Sequence, residues 1–229
     1  MLFSIITLFP EMFQGIFDHS IIKRALENDL ISIRFVNLRD FGIGKHKSVD
    51  DRPYGGGYGM ILRVDVVEKA IAFSKKGIKD EKVILLDARG NPYRQNKAEE
   101  LSHLSHIILI CGHYEDFDQR IRDFIDEEVS IGDYILTGGE LPAMIIVDSV
   151  SRIVPGVLKS ADVTTYESFS GIKNKILEYP QYTRPRTYKG KSVPDTLLSG
   201  DRGKIEKYKT NEAVRITRER RPDILDKKI

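Results

Sequence analysis

The sequence of 229 residues has no tryptophan and a single cysteine, Cys111. One cysteine excludes a disulfide framework within the chain and is typical of a protein that works in a reducing cytoplasm. A chain of this length can bury a full hydrophobic core without disulfides or metals. We therefore expect a cytoplasmic protein, with Cys111 as a small buried apolar residue rather than a nucleophile.

Long apolar runs are missing as well. The amino terminus is apolar, but its run is short and no positively charged region precedes it, so no signal peptide is predicted. No stretch approaches the roughly 18 apolar residues that a membrane helix needs. We therefore expect no membrane partner.

Several cofactor and metal motifs are absent. The turn after the first predicted strand, residues 7–11 (TLFPE), lacks the glycines of a dinucleotide site, and no P-loop is present. His103 and His106 lack further Cys or His residues at zinc spacing. These absences count against oxidoreductases, P-loop NTPases and zinc enzymes. Asp50 and Asp51 are weak candidates for a Mg²⁺ site.

Charge is distributed unevenly along the chain. Residues 1–169 carry 20 Lys and Arg against 26 Asp and Glu, a net charge of −6, whereas residues 170–229 carry 16 against 8, a net charge of +8. Four tyrosines lie among these cations: Tyr179, Tyr182, Tyr188 and Tyr208. The basic end is either a solvated tail or an RNA-docking appendage, in which cations contact phosphates and aromatic rings stack on bases.

Hydrophobic patterns predict alternating strands and helices up to about residue 155. Strands are expected at residues 2–8, 31–36, 83–87 and 107–111. Helices are expected at residues 10–26, 62–74, 94–104, 118–126 and 141–154. Because the strands are uniformly apolar, the pattern favours an α/β fold whose parallel sheet is covered by helices on both faces. Beyond this part, short helices are predicted around residues 201–209 and 211–218.

Three glycine-rich blocks could carry chemistry: residues 51–60 (DRPYGGGYGM), 112–115 (GHYE) and 130–142 (SIGDYILTGGELP). Glycine allows tight turns and close backbone approach. Each block alone would be an ordinary turn, but two of them adjoin apolar strands. Together they favour a ligand crevice at one edge of the sheet.

These three blocks closely resemble the bacterial tRNA (guanine-N1)-methyltransferases, the TrmD family of the SPOUT superfamily. Residues 152–158, 179–185 and 197–200 extend the resemblance, which runs in the family's order from residues 9–13 (FPEMF) almost to the carboxyl terminus. The resemblance implies S-adenosylmethionine-dependent methylation of N1 of the guanine next to the anticodon on its 3′ side, a modification that prevents frameshifting.

The resemblance also implies an architecture that periodicity does not reveal. It implies a SPOUT-type parallel sheet with a deep trefoil knot, a rare chain topology, plus a small helical C-terminal domain. Residues 1–158 would form the knotted catalytic domain, 159–176 a flexible linker, and 177–229 the tRNA-binding domain. The implied partners are tRNA and a second copy of the chain, with the active site at the homodimer interface.

Residue roles follow from the same resemblance. Arg152 matches the catalytic arginine, and Glu167 occupies the position of the catalytic aspartate. Glu178 matches an acid beside the methionine part of the methyl donor, and Glu115 a glutamate linked to substrate recognition. The remaining residues expected at the donor site are Leu86, Asp87, Ala88, Gly90, Gly112, Tyr114, Ile131, Gly132, Asp133, Tyr134, Ile135, Leu136, Gly138 and Gly139.

The chain departs from the family pattern at several positions. Glu167 and Glu178 stand where the family has aspartate, and the usual Gly-Arg-Tyr-Glu-Gly contains His113 and Asp116 in place of Arg and the second Gly. Without the resemblance, Arg152 could pair with an acid one helical turn earlier. Three rivals stay open: a SPOUT enzyme for another RNA site, a non-catalytic RNA-binding protein, and a flavodoxin-like small-molecule enzyme.

Overall fold

The computed structural model describes residues 1–159, 164, 167–170 and 176–225. The chain divides into two compact units, residues 1–159 and 160–229. The predicted linker over residues 159–176 lies largely outside the described residues, and each unit is considered by itself below.

A five-stranded parallel sheet forms the centre of the first unit. Its strands, numbered in chain order, are β1 (Leu2–Thr7), β2 (Ser32–Asn37), β5 (Glu81–Pro92), β6 (His106–Cys111) and β8 (Glu127–Ser130). They lie in the order β2-β1-β6-β5-β8, and every neighbouring pair is parallel. The predicted α/β fold with a parallel sheet is therefore confirmed.

Helices cover both faces of this sheet. They are α1 (Ser20–Glu27), α2 (Val64–Ser74), α3 (Gln95–Leu101) and α4 (Glu140–Ser151). Side chains alternate along β1, so Phe3 and Ile5 lie in a core shared with α1, α3 and α4, whereas Ile6 lies in a core shared with α2. Full burial of one such side chain contributes about 1.5–3 kcal/mol. Two separate cores therefore hold the sheet rigid.

A small three-stranded sheet organises the first glycine-rich block. It consists of β3 (Asp50–Asp51), β4 (Ile61–Leu62) and β7 (Asp116–Phe117), with β4 in the middle. The glycine-rich block connects β3 to β4, and the Glu115 N–H donates to the Met60 carbonyl at 3.1 Å. This sheet therefore places the first block beside the second.

The helix predicted over residues 10–26 is wrong in its first half. A short 3-10 helix, Pro10–Phe13, is followed by turns before α1 begins. Gly15 has φ +83° and Ser20 has φ +55°, both outside the helical region. Phe13 and Phe17 are nevertheless buried, so their apolar spacing reflects packing without a continuous helix.

Strand β8 was missed, because residues 118–126 were expected to be helical and acidic residues follow them. The structure has a 3-10 helix, Gln119–Phe124, and then β8 at the edge of the sheet. The acids of β8 are paired: Lys97 Nζ lies 2.8 Å from a Glu127 oxygen, and Arg122 Nε lies 2.5 Å from a Glu128 oxygen. Because β8 lies at the sheet edge, ion-paired acids occupy positions at which apolar residues would have indicated a strand in the sequence.

The second unit contains a hairpin and two helices. The elements are β9 (Thr187–Tyr188), β10 (Lys191–Ser192), α5 (Asp195–Leu198) and α6 (Arg202–Arg220). The two helices predicted around 201–209 and 211–218 are a single helix, since the intervening Thr210 does not interrupt it. The Asp201 side chain caps α6 by accepting a hydrogen bond from the Lys204 N–H at 3.1 Å.

Within the described part of the chain, no helix combines the length and the apolar character needed to cross a membrane.

Candidate functional site

A cleft of about 410 Å³ lies where β5, β6 and β8 direct their carboxyl ends. Its walls come from residues 86–89, residues 112–117 and most of residues 129–139, with Pro142 of α4 beside them. The carboxyl edge of a parallel sheet is the usual ligand site of open α/β folds. This cleft is therefore the candidate functional site, and we call it the carboxyl-edge cleft.

Glycines allow the backbone segments of this cleft to touch. The Gly139 N–H donates to the Gly112 carbonyl at 2.8 Å. A Cβ atom at Gly139 would lie 2.6 Å from the Cys111 Cα, and one at Gly138 would lie 2.4 Å from Oε2 of Glu140. The second and third glycine-rich blocks therefore meet at one sheet edge, as the sequence predicts, because no side chain separates them.

Most of the expected donor-site residues line the carboxyl-edge cleft. These are Leu86, Asp87, Ala88, Gly112, Tyr114, Glu115, Ile131, Gly132, Tyr134, Ile135, Leu136, Gly138 and Gly139. Gly90 and Asp133 are not among its lining residues, and Glu178 belongs to the second unit. Gly90 packs against β8, where a Cβ atom would lie 2.4 Å from the Val129 nitrogen.

Further residues of the cleft wall were not predicted. They are Arg89, His113, Asp116, Phe117, Val129, Ser130, Thr137 and Pro142. All lie within or next to the predicted blocks, so neighbourhood in sequence could have suggested them. The sequence does not indicate the ion pairs of Arg89, because one partner, Asp116, is 27 positions away.

Charges on the cleft wall are mainly negative. Asp87, Glu115 and Asp116 line the cleft, and Arg89 is the single Arg or Lys among the lining residues. Burial alone would raise the pKa of Asp87, but hydrogen bonds from Arg89 and the charge of Arg122 hold it below its ordinary value. Asp87 is therefore ionised at neutral pH, and the cleft is electrostatically suited to a ligand with a positive centre.

Two buried polar atoms without hydrogen-bond partners lie beside Gly138. Glu140 is 1% exposed; its Oε1 accepts from the Thr7 hydroxyl at 2.7 Å, while its Oε2 has no partner among the described residues. The Nδ1 atom of His113 is also buried and has no hydrogen-bond partner among the described residues. Unpaired buried polar atoms cost free energy, and because both atoms are buried they lie behind the cleft surface rather than on it.

The two residues expected to be catalytic lie elsewhere in the chain. Helix α4 begins at the cleft and has 12 residues, with Arg152 at its carboxyl end. At about 1.5 Å per residue, Arg152 is about 15 Å along the helix from Pro142, the residue of α4 that lines the cleft of the same chain. Glu167 belongs to the second unit, where its carbonyl accepts from the Ser170 N–H at 3.2 Å.

A second polar cluster resembles a nucleophile–base–acid arrangement. The Ser4 hydroxyl lies 2.8 Å from Nε2 of His106, and Nδ1 of His106 lies 2.6 Å from a Glu81 oxygen. However, Ser4 is 0% exposed and His106 is 1% exposed, so no substrate reaches them. Burial lowers the pKa of His106 despite the neighbouring Glu81. This cluster is part of the core, between β1 and β6.

Cys111 is a buried free cysteine at the end of β6, and burial raises the pKa of its thiol far above the ordinary value. It is therefore a neutral thiol, and the prediction that it is a small buried residue is confirmed. Across the described ranges of the chain, no group of three or more His, Cys, Asp or Glu side chains could hold a metal ion. Asp51, a weak Mg²⁺ candidate, pairs with Arg63 at 3.1 Å.

The parallel sheet and its glycine-walled cleft define an α/β protein with a candidate ligand site at the carboxyl edge of its strands. The family described as tRNA (Guanine-1)-methyltransferase TrmD matches residues 1–227. The chain belongs to this family.

Individual relatives are similar over nearly their full length. A tRNA (guanine-N(1)-)-methyltransferase of Dictyoglomus turgidum is 52% identical over 224 residues, which cover 98% of this chain and 89% of the relative. Enzymes of the same description from Desulforudis audaxviator and Geobacillus kaustophilus are 48% and 50% identical. These alignments cover 99% and 97% of this chain, and 90% and 91% of the relatives.

Proposed function

We propose that the protein methylates N1 of a guanine in tRNA, at the position next to the anticodon on its 3′ side, with S-adenosylmethionine as methyl donor. The observation that carries this proposal is the family match over residues 1–227. The carboxyl-edge cleft supports it, because the cleft is built from the same sequence blocks that carry the resemblance.

The residues of this cleft fit the donor. The backbone groups of residues 131–136 would hold its adenine, and Glu115, Tyr114 and Gly112 would lie beside them. When bound, S-adenosylmethionine supplies a methyl group already activated on a positively charged sulfur. The acidic wall of the cleft suits that charge. Glu178 is assigned to the methionine part of the donor by the resemblance alone.

The chemistry at the guanine needs a base and a cation. N1 of guanine carries a proton and is a poor nucleophile until that proton leaves. We assign its removal to the carboxylate of Glu167, since general base catalysis typically contributes about 100- to 10,000-fold. Loss of the proton builds negative charge on O6, which the guanidinium of Arg152 would stabilise without losing its own proton.

We infer that the chain is threaded through a deep trefoil knot. Residues 131–139 leave β8 at the edge of the sheet, where the Ser130 carbonyl accepts from the Tyr93 N–H at 2.7 Å. They then return past β5 to reach the end of β6, where Gly139 contacts Gly112. This return of residues 131–139 past β5 toward the end of β6 supports such a knot.

We infer that two copies of the chain form the active unit. Met12, Ile16, Leu141 and Ile145 are apolar and 44–52% exposed, and they lie on the neighbouring 3-10 helix region and α4. Burial of such residues against a second copy would remove them from water. A second copy would also supply an Arg152 to the cleft, which the arginine of the same chain is too distant to reach.

We expect the replacement Ile145→Asp to convert the dimer into a monomer, because a charge would be buried at the interface. The control is Ile78→Asp, since Ile78 is equally exposed at 45% but lies outside this surface. Sedimentation equilibrium measures the mass of both variants. A wild-type protein that sediments as a monomer would contradict the proposed dimer.

The second unit would bind the tRNA. Arg184, Arg186, Lys189 and Lys191 surround the hairpin of β9 and β10, and all four are exposed. Tyr188 beside them is 62% exposed, with Lys189 Nζ 5.5 Å from its ring centroid. Exposed cations and aromatic rings of this kind suit the phosphates and unpaired bases of RNA.

The decisive experiment is methyl transfer to transcribed tRNAs that carry G or A at the position 3′ to the anticodon. We expect methylation of the G transcript only, because the exocyclic group beside adenine N1 is an amine and offers no oxygen to the guanidinium of Arg152. Mass spectrometry of digested tRNA identifies the methylated atom. A methyl group on another atom or nucleotide would favour the rival SPOUT activity, and no donor binding in calorimetry would favour a non-catalytic RNA-binding protein.

A further inference from the structure

The wall segment of residues 112–117 holds an unfavourable backbone conformation. Tyr114 has φ +62°, a left-handed value that is uncommon for a bulky residue. A residue held in this way costs of order 1–3 kcal/mol and persists only when its surroundings fix it. The segment carries Tyr114 and Glu115 into the carboxyl-edge cleft, so whatever fixes the segment also places these side chains.

The segment is fixed at three places by backbone contacts. Its beginning is held at Gly112, whose carbonyl accepts from the Gly139 N–H at 2.8 Å. Its middle is held at Glu115, whose N–H donates to the Met60 carbonyl at 3.1 Å. Its far end is β7, which pairs with β4, and the side chain of Asp116 extends from it toward the opposite wall of the cleft.

Arg89 is the partner of Asp116 on that wall. Its Nη2 atom lies 2.6 and 2.8 Å from the two oxygens of Asp116, and the same guanidinium binds Asp87 through Nε at 3.2 Å and Nη2 at 2.7 Å. Asp87 belongs to β5, whose register against β8 shifts between Leu86 and Asn91. One side chain therefore joins the β5 wall to the wall that carries Tyr114.

The pair belongs to a longer chain of charges. Arg122 Nη2 lies 3.3 Å from the second oxygen of Asp87, and Arg122 Nε lies 2.5 Å from Glu128. The Asp87 side chain is 10% exposed and that of Arg122 is 19% exposed. Arg89 itself is 54% exposed, but a planar, multidentate arginine bound to mostly buried partners is ordered more firmly than an isolated surface pair.

We propose that Arg89 is a positioning residue for the methyl donor: it latches Asp116 to Asp87 across the carboxyl-edge cleft and thereby holds Tyr114 and Glu115 in place. This inference rests on the proposed function, because it takes the donor as the ligand of the cleft. In this chain Arg89 and Asp116 face each other. The family pattern has glycine at the position of Asp116.

Removal of Arg89 would have two opposite effects on ligand binding in the cleft. Loss of the cation makes the cleft more negative, which would tighten binding of the positively charged donor. Loss of the latch frees the 112–117 segment, which would weaken binding of any ligand of the cleft. S-adenosylhomocysteine lacks the sulfonium charge, so its affinity reports the latch without the direct electrostatic effect.

The test is calorimetric binding of S-adenosylhomocysteine to wild type, Arg89→Gln, Asp116→Asn and the double variant. We expect Arg89→Gln to raise Kd about fivefold, the scale of a well-ordered exposed ion pair. The double variant should be no weaker than Arg89→Gln, since both changes remove the same interaction. In wild type, high salt should weaken binding, and Arg89→Gln should lose most of that dependence.

The control is Arg120→Gln. Arg120 forms the same kind of pair with an acid two residues earlier, with its Nε and Nη2 at 2.9 and 2.6 Å from Asp118, but it does not line the cleft. Its Kd should stay within about twofold of wild type. Arg89→Lys should restore part of the affinity, because the charge returns without the planar fork.

Unchanged or tighter binding of S-adenosylhomocysteine by Arg89→Gln would overturn the latch. A Kd increase in the double variant equal to the product of the increases in the two single variants would also overturn it. A large drop in melting temperature of ligand-free Arg89→Gln, equal to that of a folding defect, would also overturn it in favour of a purely structural role. Wild-type protein that binds neither S-adenosylhomocysteine nor S-adenosylmethionine would overturn the proposed function itself, which separates the two failures.

Discussion

Replacement of Glu167 by glutamine is expected to slow methyl transfer by about 100- to 10,000-fold, the usual contribution of a general base. Glutamine keeps the size of the side chain but cannot take the proton from guanine N1. Binding of S-adenosylmethionine should stay within about twofold of wild type, because the assigned role concerns the guanine. Single-turnover rates with transcribed tRNA and calorimetric donor binding measure the two effects separately.

The matched control is Glu167→Asp. Aspartate is the residue that the family pattern has at this position, and it retains the carboxylate on a side chain that is shorter by one methylene. We expect it to keep measurable turnover with the same dependence on pH. Near-normal turnover of Glu167→Gln would remove Glu167 from the role of base, and Glu178→Gln would then be the next variant to measure.

Replacement of Gly139 by alanine should disrupt the carboxyl-edge cleft. The added Cβ would lie 2.6 Å from the Cys111 Cα and 2.7 Å from the Gly112 nitrogen. Both neighbours are backbone atoms that end the central strand β6, so a side-chain rotation does not relieve the overlap. Overpacking of this kind costs about 1–3 kcal/mol or more. We expect a lower melting temperature and at least a tenfold loss of donor affinity.

Gly203→Ala is the control for this experiment. Gly203 lies in helix α6, and its nearest neighbour to an added Cβ is an Asp201 oxygen at 3.5 Å, an ordinary contact. Because alanine is about 0.5–1 kcal/mol more favourable than glycine inside a helix, this variant should be slightly more stable than wild type. Retained donor affinity in Gly139→Ala would show that the contact between residues 112 and 139 does not shape the ligand site.

The sequence predicts the inner strands β1 and β6 well because they are buried on both faces. Most residues of β1 and β6 are apolar, and such runs are recognisable without structural knowledge. Strand β8 is different, since Glu127 and Glu128 lie at the sheet edge and are stabilised by cations from other elements. A pattern within one segment does not contain partners from elsewhere in the chain, and for that reason β8 was missed.

The same distinction applies to the candidate site. Glycines at 112, 138 and 139 mark the cleft in the sequence, because close backbone approach requires them. The link between Arg89 and Asp116 is invisible there, since either residue alone is an ordinary surface charge. The roles of Glu167 and Arg152 came from the family resemblance, and without it each would have been one charged residue among many.

The contacts between glycines also bear on drug design. A compound that occupies the carboxyl-edge cleft and binds the main-chain groups of residues 131–139 would meet atoms that mutation does not alter. Substitutions at Gly138 or Gly139 that add a side chain against such a compound would collide with the protein's own backbone or with Glu140. Resistance mutations would therefore have to change side chains such as Tyr134 or Ile135, which are 54% and 86% exposed. An inhibitor that does not contact these two side chains would leave few positions for such mutations.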